Sequence, residues 1–292
     1  MSFANPRYLV STADLAASLG DPDLRILDCT VFLRPPAPGA QRQAYVQESG
    51  RAGWEAGHIP GSAFADLTID LSDRTQKLPF MMPGAEQFSA EMAKLGVGEG
   101  TRVVCYDANM SMWAARVWWM LRAMGFENAA VLDGGWKKWT AEGRPVSTDA
   151  PSYPRGNFVA RPRPERFAAK DDVLAAIGDG STCIVNALTE AQHKGETATY
   201  GRAGRIATSV NVSAQGLVDR ASGAYLPAET LRERFAEVGA TGAGRVITYC
   251  GGGIAATSDA LVLTLLGHEN IAVYDGSMSE WARDEALPME VG

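Results

Sequence analysis

Apolar positions along the chain fall into short uninterrupted runs separated by longer stretches with helical spacing. The runs are residues 26–27, 103–105 and 129–132 in the first half, and 184–185, 246–249 and 271–273 in the second. Helix-like patterns occupy 12–19, 84–95, 111–124, 170–177, 228–238 and 255–266. Short apolar runs without polar alternation predict strands buried on both faces, and their alternation with helices predicts α/β architecture with parallel sheets covered on both sides. Ligands bind such sheets beyond the carboxyl ends of the strands. The residues that follow each run are therefore the places to look for chemistry.

The pattern occurs twice. Arg102-Val103-Val104-Cys105-Tyr106-Asp107 matches Arg245-Val246-Ile247-Thr248-Tyr249-Cys250 at an offset of 143 residues. Gly125 matches Gly267, Asp133-Gly134 matches Asp275-Gly276, and Trp139 matches Trp281, all at an offset of 142. Upstream, Gly57-His58-Ile59 corresponds to Gly204-Arg205-Ile206, and Leu27-Asp28-Cys29 to Val185-Asn186-Ala187. Solenoid repeats have periods of about 20–50 residues, so this longer period predicts two homologous domains. The Pro-rich segment 147–166 has little apolar periodicity and reads as a linker between domains at 1–146 and 167–292.

The two copies differ at the position after the central run. The first has Asp107; the second has Cys250, followed by Gly251-Gly252-Gly253-Ile254-Ala255. Glycines let successive backbone N–H groups curl toward one point, and the first N–H groups of the following helix add donors and a positive dipole end. Such a cradle stabilises an anion, so the setting favours the thiolate of Cys250 and makes it the candidate nucleophile. A carboxylate cannot serve as a thiol nucleophile, so one copy is expected to be catalytic and the other supporting.

These residues resemble the tandem-domain rhodanese sulfurtransferases. The resemblance is carried by Gly57-His58-Ile59-Pro60-Gly61-Ser62, Arg116-Val117-Trp118-Trp119, Leu132-Asp133-Gly134-Gly135, Cys250-Gly251-Gly252-Gly253 and Tyr274-Asp275-Gly276-Ser277 with Glu280-Trp281. It implies two rhodanese-like domains, each a parallel sheet flanked by helices on both faces, with Cys250 in the second. It also implies that Cys250 takes a sulfane sulfur from a small donor, holds it as a persulfide and passes it to a thiol or cyanide. No metal or organic cofactor is implied.

The loop after the cysteine sets donor choice in the family. The thiosulfate branch carries cationic side chains there, whereas Gly251, Gly252 and Gly253 resemble the Cys-Gly-Ser-Gly loop of the mercaptopyruvate branch. That favours 3-mercaptopyruvate over thiosulfate, although Gly252 removes the loop hydroxyl. The family's Asp is Asn186 here, and the arginines two and six residues later are Leu188 and Gln192. Lys194, Arg202 and Arg205 remain as candidate anchors for a donor carboxylate, since charge-assisted bonds to a cation are strong. Each also reads as a solvated surface charge.

Met112 and Trp113 fall where the family's first domain leans on the active-site cleft, so they are candidates to wall off the reactive sulfur. His58 reads either as a proton donor near that cleft or as a fastener of the turn at 57–61. His193 and His268 carry less: the first lies in the donor-facing segment and the second follows a helix end.

Composition narrows the alternatives. A net charge of -7 over 292 residues gives no electrostatic footing for nucleic acid. No run of 18 apolar residues suggests a membrane span, residues 1–7 do not read as a secretory leader, and the four cysteines are widely spaced, all of which fits a reducing cytoplasm. That spacing offers no metal cluster. A cysteine phosphatase needs an arginine six residues after the cysteine, and Ala256 occupies that position. The departures at Asn186, Gln192 and Gly252 leave a second reading: a catalytically weakened binding or regulatory module on the same fold.

Overall fold

The computed structural model describes residues 2–34 and 45–292. The first half runs β1 (Leu9–Val10), α1 (Thr12–Ala17), β2 (Leu24–Asp28), the hairpin β3 (Val31–Arg34) and β4 (Val46–Ser49), α2 (Arg51–Ala56), β5 (Ser62–Phe64), α3 (Ala85–Lys94), β6 (Arg102–Tyr106), α4 (Met112–Ala123), β7 (Ala129–Leu132) and α5 (Gly135–Ala141). The second half runs β8 (Phe167–Ala168), α6 (Lys170–Ala176), β9 (Thr182–Asn186), α7 (Glu190–His193), β10 (Arg205–Ile206), β11 (Val210–Asn211), α8 (Ala228–Glu237), β12 (Arg245–Tyr249), α9 (Ala255–Leu265), β13 (Ile271–Tyr274), α10 (Ser277–Trp281) and β14 (Met289–Glu290).

Each half builds a five-stranded parallel sheet, in the orders β1-β7-β6-β2-β5 and β8-β13-β12-β9-β11. The two orders correspond strand for strand, so the repeat in the sequence is a repeat in space. Matching details support the sheets. The Tyr106 hydroxyl lies 3.0 Å from Ser62 Oγ and accepts from the Ile59 amide, while the Tyr249 hydroxyl lies 2.8 Å from Ser209 Oγ and accepts from the Ile206 amide. The central strands β6 and β12 are buried at all but their first residue, as continuous apolar runs require.

The helices that follow those strands join the halves. In α4 every residue from Trp113 to Ala123 is buried, and in α9 every residue from Ala256 to Leu265. Apolar residues lie on every side of both helices, so both are covered all round, with Arg116, Arg122 and Asp259 buried among them. The two helices meet each other, and one continuous core runs through both domains, including Trp113, Phe80, Cys250 and Ile254.

The Pro-rich segment carries no helix or strand before the short 3₁₀ turn Pro164–Arg166, yet it is pinned to the first domain. The amides of Gly156, Arg161 and Arg163 donate to the carbonyls of Ala93, Met124 and Ala123. Tyr153 donates to Gly61 O and lies under the Arg25 guanidinium. Among the described residues, no helix is long and apolar enough to cross a membrane.

Candidate active site

Cys250 immediately follows β12, at the carboxyl end of the central strand, and is 3% exposed. Its own amide and that of Gly253 both donate to Ser277 Oγ, at 3.0 and 3.2 Å, and that hydroxyl in turn donates to Tyr274 O at 2.7 Å. Ser277 thus ties the two ends of the loop together. Ser279 adds a bond from its Oγ to Gly251 O at 2.6 Å. The amides of Gly251, Gly252, Ile254, Ala255 and Ala256 have no acceptor among the described residues. They are the orphan donors expected where a loop enters a helix. The expected convergence is therefore partial: two loop amides serve the hydroxyl of Ser277, and the rest are free to meet an anion.

Backbone strain marks the same place. Ser277 takes φ +48°, a left-handed conformation costly for a side chain, and the equivalent residue of the first domain is Gly135 at φ +51°. Where the first copy uses the residue that tolerates the turn, the second retains a hydroxyl that cinches the cysteine loop. Gly253 is also left-handed, at φ +74°, and a Cβ there would lie 2.6 Å from Asp275 Oδ1.

The loop is braced from the other domain. Arg116 of α4, fully buried, donates to Asp275 Oδ1 at 2.6 Å, to Gly253 O at 3.3 Å and to Phe80 O at 2.7 Å. Asp275 also accepts from the Met82 amide at 2.7 Å. The counterpart contact runs the other way, from the Tyr225 amide to Asp133 Oδ1 at 2.8 Å.

In the first domain the corresponding loop is already filled. Asp107 accepts from the amides of Asn109 and Ser111 on one carboxylate oxygen and from Ala114 on the other, at 2.6, 3.0 and 2.8 Å. Burial pushes this carboxyl up to about 7, against the pull of those three N–H groups. A cavity of ≈ 440 Å³ opens over this counterpart, between the domains, lined by Asp107, Ser111, Lys137, Gln215 and Arg220 among others.

The structure separates the remaining candidates. Lys194 pairs on the surface with Glu190 at 2.6 Å. Arg202 spends its guanidinium on four backbone carbonyls, those of Trp281, Ala282, Asp284 and Leu287. Arg205 holds Glu290 at 3.3 Å and the carbonyl of Gly292. The contacts of Arg202 and Arg205 staple the C-terminal segment, and none of the three lends support to a role in anchoring a donor.

The surroundings of His58 fit the second of its two readings, a fastener of the turn. Its ring is fully buried, stacked on Trp54 with centroids 4.5 Å apart, and its nitrogens meet the carbonyls of Trp54 and Asp149. It fastens the turn to the start of the linker. Trp113 is buried edge-on to Phe80 at 5.0 Å, and Met112 packs partly buried against the same core. Asn186 lies beside Tyr249 in the sheet, 3.1 Å from His193 Nδ1, and burial lowers that histidine to about 4. His268 meets Ala243 O. Among the described residues, no group of three or more His, Cys, Asp or Glu side chains could hold a metal ion.

Sequence reasoning missed Tyr200, whose phenol oxygen lies directly over Gly251, leaving no room for a Cβ there. No periodicity or motif marks it, because it sits in an irregular segment between α7 and β10.

A family model for the rhodanese-like domain matches residues 11–142 and again 169–284. The chain belongs to the rhodanese family, with two such domains, and is a sulfurtransferase. It is 33% identical over 286 residues to the 3-mercaptopyruvate sulfurtransferase of Escherichia coli K12, covering 97% of this chain and 98% of that one. It is also 33% identical to the thiosulfate sulfurtransferase of Rattus norvegicus, covering 95% and 92%. The crystal structure of the 3-mercaptopyruvate sulfotransferase SseA from Escherichia coli superposes with a TM-score of 0.79 at 31% identity, covering 92% of this chain and 98% of that one.

Proposed function

We propose that the chain moves a sulfane sulfur from a small anionic donor, 3-mercaptopyruvate in preference to thiosulfate, through a persulfide on Cys250 to a thiol or cyanide. One observation carries this reading: the amides of Gly252 and Ile254, two and four residues after Cys250, are unpartnered, while the equivalent amides of Asn109 and Ser111 hold the Asp107 carboxylate. A carboxylate oxygen lies as many bonds from its Cα as the outer sulfur of a cysteine persulfide does. The first domain thus carries a built-in stand-in for the outer sulfur, and the second offers the same cradle to a sulfur that comes and goes. The glycine loop, Ile254 and the first turn of α9 supply amides and a positive dipole end without the cationic side chains that the thiosulfate branch of the family carries there, which favours 3-mercaptopyruvate.

The Cys250 thiolate attacks the donor sulfur; the acceptor then takes the outer sulfur and restores the thiolate. Incubation with 3-mercaptopyruvate should release pyruvate faster than thiosulfate yields thiocyanate in the presence of cyanide. The protein should also gain the mass of one sulfur atom in the absence of acceptor. Cys250→Ser should lose both activities and the added mass. A Cys250→Ser protein that still transfers sulfur at the wild-type rate would end the proposal, as would a wild-type Cys250 that alkylates no faster at pH 7 than free cysteine, the behaviour of a binding module.

A further inference from the structure

Sulfur removal from 3-mercaptopyruvate puts charge on an oxygen as well as on sulfur. As the thiolate forms the sulfur–sulfur bond, the carbon–sulfur bond breaks and its electron pair passes to C3 of the donor, delocalised onto the carbonyl oxygen as an enolate. The donor's thiol proton, returned to C3, completes pyruvate and leaves the persulfide as an anion. A hydrogen-bond donor aimed at that enolate oxygen speeds the step, because it stabilises charge that develops only in the transition state. With thiosulfate the leaving group is sulfite, and no enolate forms.

The cysteine loop itself offers no side-chain hydroxyl for this purpose. Gly251, Gly252 and Gly253 contribute amides alone, and Ser277 spends its hydrogen on Tyr274 O. Ser279 spends its own on Gly251 O. The phenol of Tyr200 remains. It packs partly buried against the second domain's core, with its oxygen over Gly251, next in chain to Cys250. It has no hydrogen-bond partner among the described residues.

We propose that Tyr200 is the enolate-binding residue of the donor site: its hydroxyl, seated over Gly251, donates to the carbonyl oxygen of 3-mercaptopyruvate as the carbon–sulfur bond breaks. The role rests on the reading of 3-mercaptopyruvate as donor. Burial, and then the nearby Cys250 and Tyr45, push the phenol's pKa up, so it stays a donor across the range in which a thiolate is present. The ring also fixes Gly251 as glycine, since any side chain there would displace the hydroxyl.

The test compares Tyr200→Phe with wild type on two donors. This substitution keeps the ring and removes only the hydroxyl. Pyruvate release from 3-mercaptopyruvate should fall in kcat by roughly 10²-fold, the usual cost of one such donor, while thiocyanate formation from thiosulfate and the alkylation rate of Cys250 stay close to wild type. Equal losses on both donors would mean a structural role and overturn the assignment, as would no loss on either. If wild type releases no pyruvate, the donor reading falls and Tyr200's role falls with it. If wild type releases pyruvate and Tyr200→Phe matches it, only the role of Tyr200 is lost.

Discussion

Replacing Arg116 with methionine should separate the brace between the domains from the packing around it. The guanidinium is fully buried, and its 2.6 Å partner Asp275 is 10% exposed, so the pair is close to dry. Methionine roughly preserves the volume and leaves the Asp275 carboxylate with only the Met82 amide. Removing one partner of a buried pair costs about 3–5 kcal/mol, because the other charge stays desolvated. That is a factor of roughly 10² or more in the folding equilibrium. An exposed pair would give about 0–1 kcal/mol, and the burial of Arg116 decides between these. Urea unfolding, followed by tryptophan fluorescence, measures the loss directly. Arg116→Met with Asp275→Asn closes the cycle: neutralising the stranded carboxylate should return part of the loss, a coupling of about 1–3 kcal/mol. Additivity within about 0.5 kcal/mol, or a single-variant cost below about 1 kcal/mol, would refute the reasoning.

Asp107 gives a pH signature with a definite sign. Its folded pKa, about 7, lies above the ordinary 3.8, so the folded state keeps a proton that the unfolded chain releases. This stabilising contribution is present below about pH 4 and is lost as the pH rises through 7, by an amount on the order of 4 kcal/mol. The urea midpoint of Asp107→Asn should fall less steeply than that of wild type over this window, and parallel slopes would contradict the burial argument. His58→Phe keeps the stack on Trp54 and loses the ring's hydrogen bonding to the backbone carbonyls beside it, so the melting temperature should drop by the equivalent of about 1–3 kcal/mol. Sulfur transfer per folded molecule should not change, and a selective loss of turnover would return His58 to the chemistry.

Much of the scaffold was legible because its signals are local. The apolar runs at 103–105 and 246–249 sit inside β6 and β12, and the helical patterns at 84–95, 111–124, 228–238 and 255–266 end within a residue or two of α3, α4, α8 and α9. The duplication at offsets of 142 and 143 predicted two homologous domains, and the two sheets share one strand order. The two-residue edge strands β1, β8 and β11 left no trace, being too short for any period. The ties between Ser277 and the loop, and between Arg116 and Asp275, involve residues 27 and 159 positions apart, which no window along the chain can join.

The sequence alone determined that a cysteine follows the central strand of the second domain and enters a glycine loop, because strand period, glycine freedom and repeat register are properties of neighbouring residues. Only the tertiary structure decided which groups surround that sulfur. It turned Arg202 and Arg205 onto the C-terminal carbonyls, buried His58, and brought the phenol of Tyr200 over Gly251. Contacts between distant segments are set by how the two domains pack, and the chain order of Lys194, Arg202 and Arg205 does not say where three flexible cations will end.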